Sequence, residues 1–196
     1  MRARCFIAVP LGSEALALVA DARGAFLGLA PEWAGEKWVR PDIVHMTLMY
    51  AGPLSDVAVD DSLQILADEC LHHAPFELRL AGARAVPSHG PARMLWATLD
   101  GETHHCARLS SAISHVLEQR LDIPHDDRVF VPHVTLVRSR RPRPVPPRAV
   151  DAAGEALTCG KETDRIVSVR YVTLYASTLQ PDGPVYEELG SVPLLG

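Results

Sequence analysis

The sequence predicts an α+β protein with two lobes, and three observations lead to this prediction. Segments with the two-residue alternation of strands are interspersed with segments that have the 3.6-residue period of amphipathic helices. Several strand segments follow one another as in hairpins, without the regular strand-helix alternation of parallel sheets. A His-apolar-Thr-Leu pattern occurs twice, at 45–48 and at 133–136, close to half the chain length apart. Residues 1–196 are therefore expected to form one bilobal domain with one motif strand in each lobe.

The first half of the chain is predicted to contain three strands and two helices. Proline and glycine residues end the strands, and Ser13 is expected to be the N-cap of a helix that ends before Pro31. Leu63, Leu66 and Cys70 repeat at helical spacing and define the second helix. In chain order these elements are strand 5–9, helix 13–30, strand 43–50, helix 60–73 and strand 76–80.

The second half is predicted to contain one helix and four strands. In chain order they are strand 94–99, helix 103–121, strand 130–137, strand 166–177 and strand 185–189, with a turn at 180–183. Residues 138–148 are rich in arginine and proline, and they are predicted to form a long exposed loop because proline cannot donate ladder hydrogen bonds.

Composition limits the classes of function. The net charge is −5, so the field of the whole molecule does not attract nucleic acid, and an anionic ligand needs a local basic patch. The arginines of 138–148 are a candidate patch, which either grips RNA or is only a solvated connection. No apolar run is long enough to span a membrane and the first residues do not form a signal sequence, so a cytoplasmic location without a membrane partner is expected. The protein is also expected to be a monomer.

Cysteine and histidine spacing does not predict a metal site or a disulfide framework. Cys5, Cys70, Cys106 and Cys159 lack CxxC spacing and are expected to be mostly buried. The histidines outside the motifs lack the spacing of a zinc hydrolase helix and are expected to be solvated.

The two motifs carry groups suited to acid–base chemistry. In a strand His45 and Thr47 face one side and Met46 faces the other, and the same holds for His133 and Thr135. Two imidazoles across a cleft can take a proton from water and give one to a leaving oxygen near neutral pH. The threonine hydroxyls can donate to the oxygens of a phosphate diester. The alternative is two ordinary strand histidines.

On these residues the chain resembles the 2H phosphoesterase superfamily, and within it the RNA 2′,3′-cyclic phosphodiesterases, formerly called 2′-5′ RNA ligases. The family is named for two His-x-Thr motifs, and the likeness extends over nearly the whole chain. Further resemblance lies in the residues that flank the motifs and in the closing hairpin: Trp38, Val39, Pro41, Phe130, Pro132, Arg138, 174–177 and 183–186.

The resemblance implies a bilobal α+β fold in which two antiparallel-rich sheets with flanking helices surround a cleft with pseudo-twofold symmetry. It implies hydrolysis of RNA 2′,3′-cyclic phosphate ends to 2′-phosphomonoesters without metal, ATP or another cofactor. By resemblance His45 is the general acid and His133 the general base, although near symmetry leaves the two interchangeable. Thr47 and Thr135 are expected to bind the phosphate.

Two further residues enter through the resemblance. Arg138 is expected to bind phosphate, and Tyr50 stands where the family has a phenylalanine near the nucleobase. Strict alternation places both side chains on the face opposite the histidines, so only a bulge or a twist brings them into the cleft. The tryptophans are expected in the core more often than on a base-stacking surface: Trp33, Trp38 and Trp96.

Other functions remain open from the sequence. One is a non-catalytic RNA-binding module, and another is a phosphodiesterase for small cyclic nucleotides or for a cyclic phosphate of ADP-ribose. Reversible 2′-5′ RNA ligation is the same chemistry run backwards. Intact His and Thr in both motifs favour an enzyme, since a binding module does not need two titratable groups on opposite strands.

Overall fold

The computed structural model of the protein describes residues 3–124, 128–180 and 183–196, and this part of the chain contains nine strands and four α-helices. This confirms the α+β class. The first elements are β1 (Ala3–Pro10), α1 (Ser13–Leu29), β2 (Lys37–Trp38), β3 (His45–Leu54), α2 (Asp56–Cys70), β4 (Phe76–Val86) and β5 (Ala92–Gly101). The remaining elements are α3 (Thr103–Leu121), β6 (His133–Arg143), α4 (Pro147–Thr158), β7 (Ile166–Val169), β8 (Tyr171–Gln180) and β9 (Gly183–Pro193).

The strands form a sheet in the order β7-β4-β5-β6-β3-β1-β8-β9, in which all neighbours are antiparallel. Short strand β2 pairs with β6. The two motif strands, β3 and β6, are adjacent at the centre, and in the described part of the chain Met46 opposite Val134 is their one paired position. The two sheets expected from the sequence are thus two four-stranded halves that this joint links into one sheet.

One face of the sheet is covered by helices and the other carries the motif side chains. On the covered face Cys106 Sγ of α3 lies 3.8 Å from Met46 Sδ, and Ser110 Oγ of α3 donates to the carbonyl of Leu48 at 2.7 Å. Helix α4 packs on β4, where a Cβ at Gly154 would lie 3.2 Å from the Ala83 nitrogen. We call the opposite surface, with His45, Thr47, His133 and Thr135, the open face.

Most predicted elements are found, with differences at their ends. Helix α3 has the predicted bounds, whereas α2 begins at Asp56 because the Ser55 side chain accepts a hydrogen bond from the Ala58 nitrogen at 3.2 Å. The prediction that Ser13 caps α1 is wrong, because Gly12 is the N-cap and the Ser13 hydroxyl donates to the Glu14 carboxylate. The predicted strand 166–177 is two strands, β7 and β8, at different places in the sheet. The predicted turn at 180–183 includes residues 181–182, which lie outside the described residues.

The prediction of a long loop at 138–148 is wrong. Strand β6 continues to Arg143 because it has neighbours on both sides, β5 and β2, and Pro147 then occupies the first turn of α4. The sequence does not predict α4, because the prolines that lead into it indicate a loop. Its buried residues are Ala149, Ala153 and Leu157.

Candidate active site

The joint between the two halves brings the motifs together. Met46 and Val134 are buried and directly opposite in an antiparallel pair. The two strands run in opposite directions. His45 and Thr135 therefore lie on one side of this pair, and Thr47 and His133 lie on the other. The four predicted side chains therefore gather at the centre of the open face.

Backbone carbonyls orient both imidazoles in the same way. His45 Nδ1 lies 2.7 Å from the carbonyl oxygen of Ile43, and His133 Nδ1 lies 2.7 Å from that of Val131. A carbonyl only accepts, so each Nδ1 carries the proton and each Nε2 is the unprotonated nitrogen of the neutral imidazole. His45 Nε2 lies 3.0 Å from Thr47 Oγ1.

The surroundings lower the pKa of both histidines. Burial is the main cause for His45, opposed by the hydrogen bond to the Ile43 carbonyl and assisted by the charges of Arg138 and His133. Burial also leads for His133, where Arg138 and Arg84 add to the lowering of the pKa. Without a ligand both imidazoles are therefore neutral near pH 7, and an anion placed between them would raise both pKa values.

Each motif strand has a bulge just after its threonine. In β6, Trp96 is opposite Thr135 but Leu95 is opposite Val137, so one extra residue lies between and Leu136 and Val137 are both buried. Arg138, the next residue, is thereby exposed on the open face. Strict alternation would turn its side chain away from the histidines, and this bulge is the irregularity that brings it to their face.

Strand β3 has the same irregularity at the equivalent place. Ala8 is opposite Thr47 and Ile7 is opposite Met49, so Leu48 is the extra residue and both Leu48 and Met49 are buried. Tyr50 is consequently on the open face with 62 % of its surface exposed, contrary to strict alternation. Tyr50 and Arg138 thus occupy equivalent positions in the two halves.

Aromatic rings surround His45. Its ring centroid lies 4.9 Å from that of Phe6 and 5.4 Å from that of Tyr186, which meets it edge-on. Phe6 also stacks with Tyr50 and with Tyr175, at 6.0 and 5.4 Å. The sequence does not predict that Phe6 contacts His45, because Phe6 lies in a uniformly apolar segment. Nothing in such a segment distinguishes a residue of the open face from a core residue.

His133 has a different neighbour. Trp96 stacks on its ring with centroids 3.7 Å apart and planes 19° apart, and the Arg84 guanidinium lies over the Trp96 ring at 5.3 Å. Of the tryptophans expected in the core, Trp33 is fully buried and Trp38 packs edge-on against Phe26, whereas Trp96 faces the site. A cavity of about 460 Å³ adjoins this stack, lined among others by Thr98, Thr103, His104 and Phe130.

Comparison with known proteins identifies the family to which this arrangement belongs. The family model described as the 2′-5′ RNA ligase superfamily matches residues 15–173. The chain belongs to this superfamily. This confirms the family that the two motifs indicated.

Relatives of the chain within the superfamily match it over most of its length. A Thermus thermophilus protein named RNA 2′,3′-cyclic phosphodiesterase is 30% identical, over 98% of this chain and 91% of the relative. An Aquifex aeolicus protein of the same name is 25% identical, over 76% and 77% of the two chains.

Solved structures match the fold over the whole chain. TT0787 of Thermus thermophilus aligns with a TM-score of 0.78 and 29% identity, covering 100% of this chain and 99% of the other. E. coli LigT complexed with 3′-AMP aligns with a TM-score of 0.68 at 20% identity over 100% of both chains, a likeness of fold.

Other features of this superfamily member lie away from the motifs. A second cavity of about 300 Å³ lies behind the motif strands, lined by Val44 and Leu136, and does not reach the imidazoles. Among the described residues no three His, Cys, Asp or Glu side chains are grouped so that they could hold a metal ion. Cys5, Cys70 and Cys106 are buried, and burial raises the pKa of Cys106 to about 12. None of the described helices is long and apolar enough to cross a membrane.

Proposed function

We propose that the protein is a metal-independent RNA 2′,3′-cyclic phosphodiesterase that leaves a 2′-phosphomonoester. The observation that carries this proposal is a pair of imidazoles that each carry the proton on Nδ1. The register at Met46 and Val134 places each imidazole beside the threonine of the other motif. The names of relatives at 25–30% identity over most of the chain support the same activity.

In the proposed reaction one histidine accepts a proton from water and the other donates a proton to the leaving oxygen of the substrate. His133 Nε2 takes a proton from water, the water oxygen forms a bond to phosphorus, and the bond from phosphorus to O3′ breaks. His45 Nε2, protonated when the anionic substrate is bound, gives its proton to O3′. Burial, assisted by the charges of Arg138 and Arg84, lowers the pKa of His133, so its Nε2 is unprotonated near pH 7 and can act as the base. Because burial and Arg138 also lower the pKa of His45, the assignment of acid and base follows the family resemblance.

The neighbouring side chains bind the substrate. Thr47 and Thr135 donate their hydroxyls to the oxygens of the phosphate, and Arg138 binds its negative charge. Tyr50, exposed and stacked at 6.0 Å on Phe6, offers its ring to the terminal base. The bulges in β3 and β6 support both assignments, because they turn Tyr50 and Arg138 to the face of the histidines.

Hydrolysis of a defined substrate tests the proposal. The protein is incubated in EDTA with a short RNA that ends in a 2′,3′-cyclic phosphate, and the position of the phosphate in the product is determined by NMR. We expect a 2′-phosphate from the wild type, and a loss of about 10²–10⁴-fold in kcat/KM in His45→Ala and in His133→Ala. His115→Ala, a change at an exposed histidine on α3, is the control and retains activity.

Two results would contradict the proposal. Hydrolysis that requires a divalent metal would exclude the two-histidine mechanism. Absence of hydrolysis in the wild type would favour the non-catalytic RNA-binding module. Size-exclusion chromatography and cell fractionation test two further parts of the proposal, the monomer and the cytoplasmic location.

Ligation follows from the same chemistry when a 5′-hydroxyl replaces the attacking water. The oxygen of this hydroxyl bonds to phosphorus, its proton goes to His133, and O3′ leaves with the proton of His45, which gives a 2′-5′ linkage. The cavity of about 460 Å³ beside His133 offers room for the nucleoside that carries the hydroxyl, and this favours ligation as a second activity.

A further inference from the structure

A lysine stands directly opposite Arg138. Lys37 and Lys161 are the only lysines in the sequence. Strand β2 pairs with β6 so that Lys37 is opposite Arg138 and Trp38 is opposite Val137, and the Val39 nitrogen continues the ladder to the Leu136 carbonyl at 2.9 Å. Directly opposite residues of antiparallel strands share a face, with Cβ atoms about 4.5–5.5 Å apart. Both cations are therefore on the open face.

Two like charges in this arrangement repel each other unless an anion lies between them. In the described part of the chain neither Lys37 nor Arg138 forms an ion pair with a carboxylate. The adjacent carboxylate, Glu36, is already bound, since it accepts from Arg143 Nε at 2.6 Å and from the Arg140 nitrogen at 3.1 Å. Glu36 thus fixes β2 against β6 and leaves the two cations available.

The positive charge continues along β6 away from the histidines. Arg138 and Arg140 are exposed and Ser139 between them is buried, so the two arginines are on the same face. We call Lys37, Arg138 and Arg140 the basic ribbon. The equivalent place in the other half carries Tyr50 on Phe6, which is aromatic. The two sides of the site are therefore suited to different parts of a nucleotide.

We propose that Lys37 and Arg140 of the basic ribbon bind the phosphate on the 5′ side of the terminal nucleotide, while Arg138 between them contacts the cyclic phosphate, so that a 5′-phosphate raises the efficiency of hydrolysis. This inference rests on the proposed function. Lys37 is a specificity-determining residue in it, and the sequence did not indicate this role because the pairing of β2 with β6 is not visible in the sequence.

Three substrates that differ only on the 5′ side test the inference. They are adenosine 2′,3′-cyclic phosphate, the same compound with a 5′-phosphate, and a trinucleotide that ends in the same cyclic phosphate. For the wild type we expect the 5′-phosphate to raise kcat/KM about 10-fold or more, as charge-assisted hydrogen bonds do. Lys37→Gln should bring the ratio between these two substrates close to one, and Lys37→Arg should restore it. Lys161→Gln, at the other lysine, leaves the ratio unchanged.

Salt dependence gives an independent measurement. Each lost contact with the phosphates of a single strand lowers the slope of log affinity against log salt by about 0.7. Arg140→Gln should lower this slope for the trinucleotide relative to the wild type and should leave the slope for unphosphorylated adenosine cyclic phosphate unaffected.

The outcomes separate this inference from the proposed function. A wild-type ratio near one, or a ratio that Lys37→Gln does not change, overturns the role of the basic ribbon while hydrolysis itself stands. Hydrolysis of none of the three substrates overturns the proposed function and the inference with it.

Discussion

In the proposed mechanism the reactive atoms are two ring nitrogens, and carbonyl groups two residues away determine which nitrogens these are. The Nδ1 atoms of His45 and His133 each donate to the backbone carbonyl two residues earlier, that of Ile43 or Val131, at 2.7 Å. The same contact therefore sets the tautomer and the orientation of the ring. What differs between the two histidines is the neighbouring ring, Phe6 for His45 and Trp96 for His133.

The lowered pKa values predict how stability depends on pH. The pKa of both histidines is below the unfolded value of about 6.5, so the unfolded chain binds more protons as pH falls. The stability that these neutral imidazoles contribute is present above pH 6.5 and is lost as pH falls through the pKa values of the folded state. Urea midpoints at pH 7.5, 6.5 and 5.5 should fall more steeply for the wild type than for a His45→Gln/His133→Gln double variant. Parallel curves for the two proteins would refute this.

At the level of elements, two bulges and two helix starts illustrate what the sequence predicts and what it does not. Helix α3 was predicted with its exact bounds, because Leu109, Ile113 and Leu117 form a large apolar stripe. Helix α4 is not predicted because the prolines that lead into it indicate a loop, although Pro147 in fact occupies its first turn. The need for a bulge or a twist before Tyr50 and Arg138 follows from strict alternation, but the place of the bulge does not, since an extra residue in a strand depends on the register with its neighbour. The identities of His45 and His133 were visible because a repeated motif does not depend on that register.

The helix starts give a prediction with a built-in control. Ser55→Ala should lower the free energy of unfolding by about 1 kcal/mol, because the Ser55 side chain accepts from the Ala58 nitrogen at the start of α2. Ser13→Ala, at the position that the sequence suggested as a cap, should change it by less than about 0.5 kcal/mol. Urea unfolding of both variants measures the difference. Equal effects would show that the Ser55 hydrogen bond does not stabilise α2.

For the whole molecule, the site lies where the two four-stranded halves meet. In the described residues the central strands β3 and β6 share one paired position, Met46 opposite Val134, and the short strand β2 adds a second main-chain pairing with β6. His45 and Thr47 thus belong to one half of the sheet, and His133 and Thr135 belong to the other. An anion bound there contacts both halves at once.

This arrangement predicts that phosphate stabilises the fold. Inorganic phosphate at 100 times its Kd should add about 2.7 kcal/mol to the free energy of unfolding, because it binds the folded chain only. We expect the melting temperature to rise with phosphate, and to rise much less for Arg138→Ala. Sodium chloride at matched ionic strength is the control. An equal rise with chloride would mean that the effect is general screening of charge.

The narrow joint between the halves also bears on how this gene can change over generations. With one paired position at the centre, the gap between the two imidazoles depends on side-chain volumes behind the sheet, where Met46 meets Cys106 at 3.8 Å. A mutation that enlarges or shrinks this layer adjusts the gap without altering any residue that meets a substrate. Substitutions in the hydrophobic interior are thus a route by which evolution can change the catalytic rate of this protein in small steps.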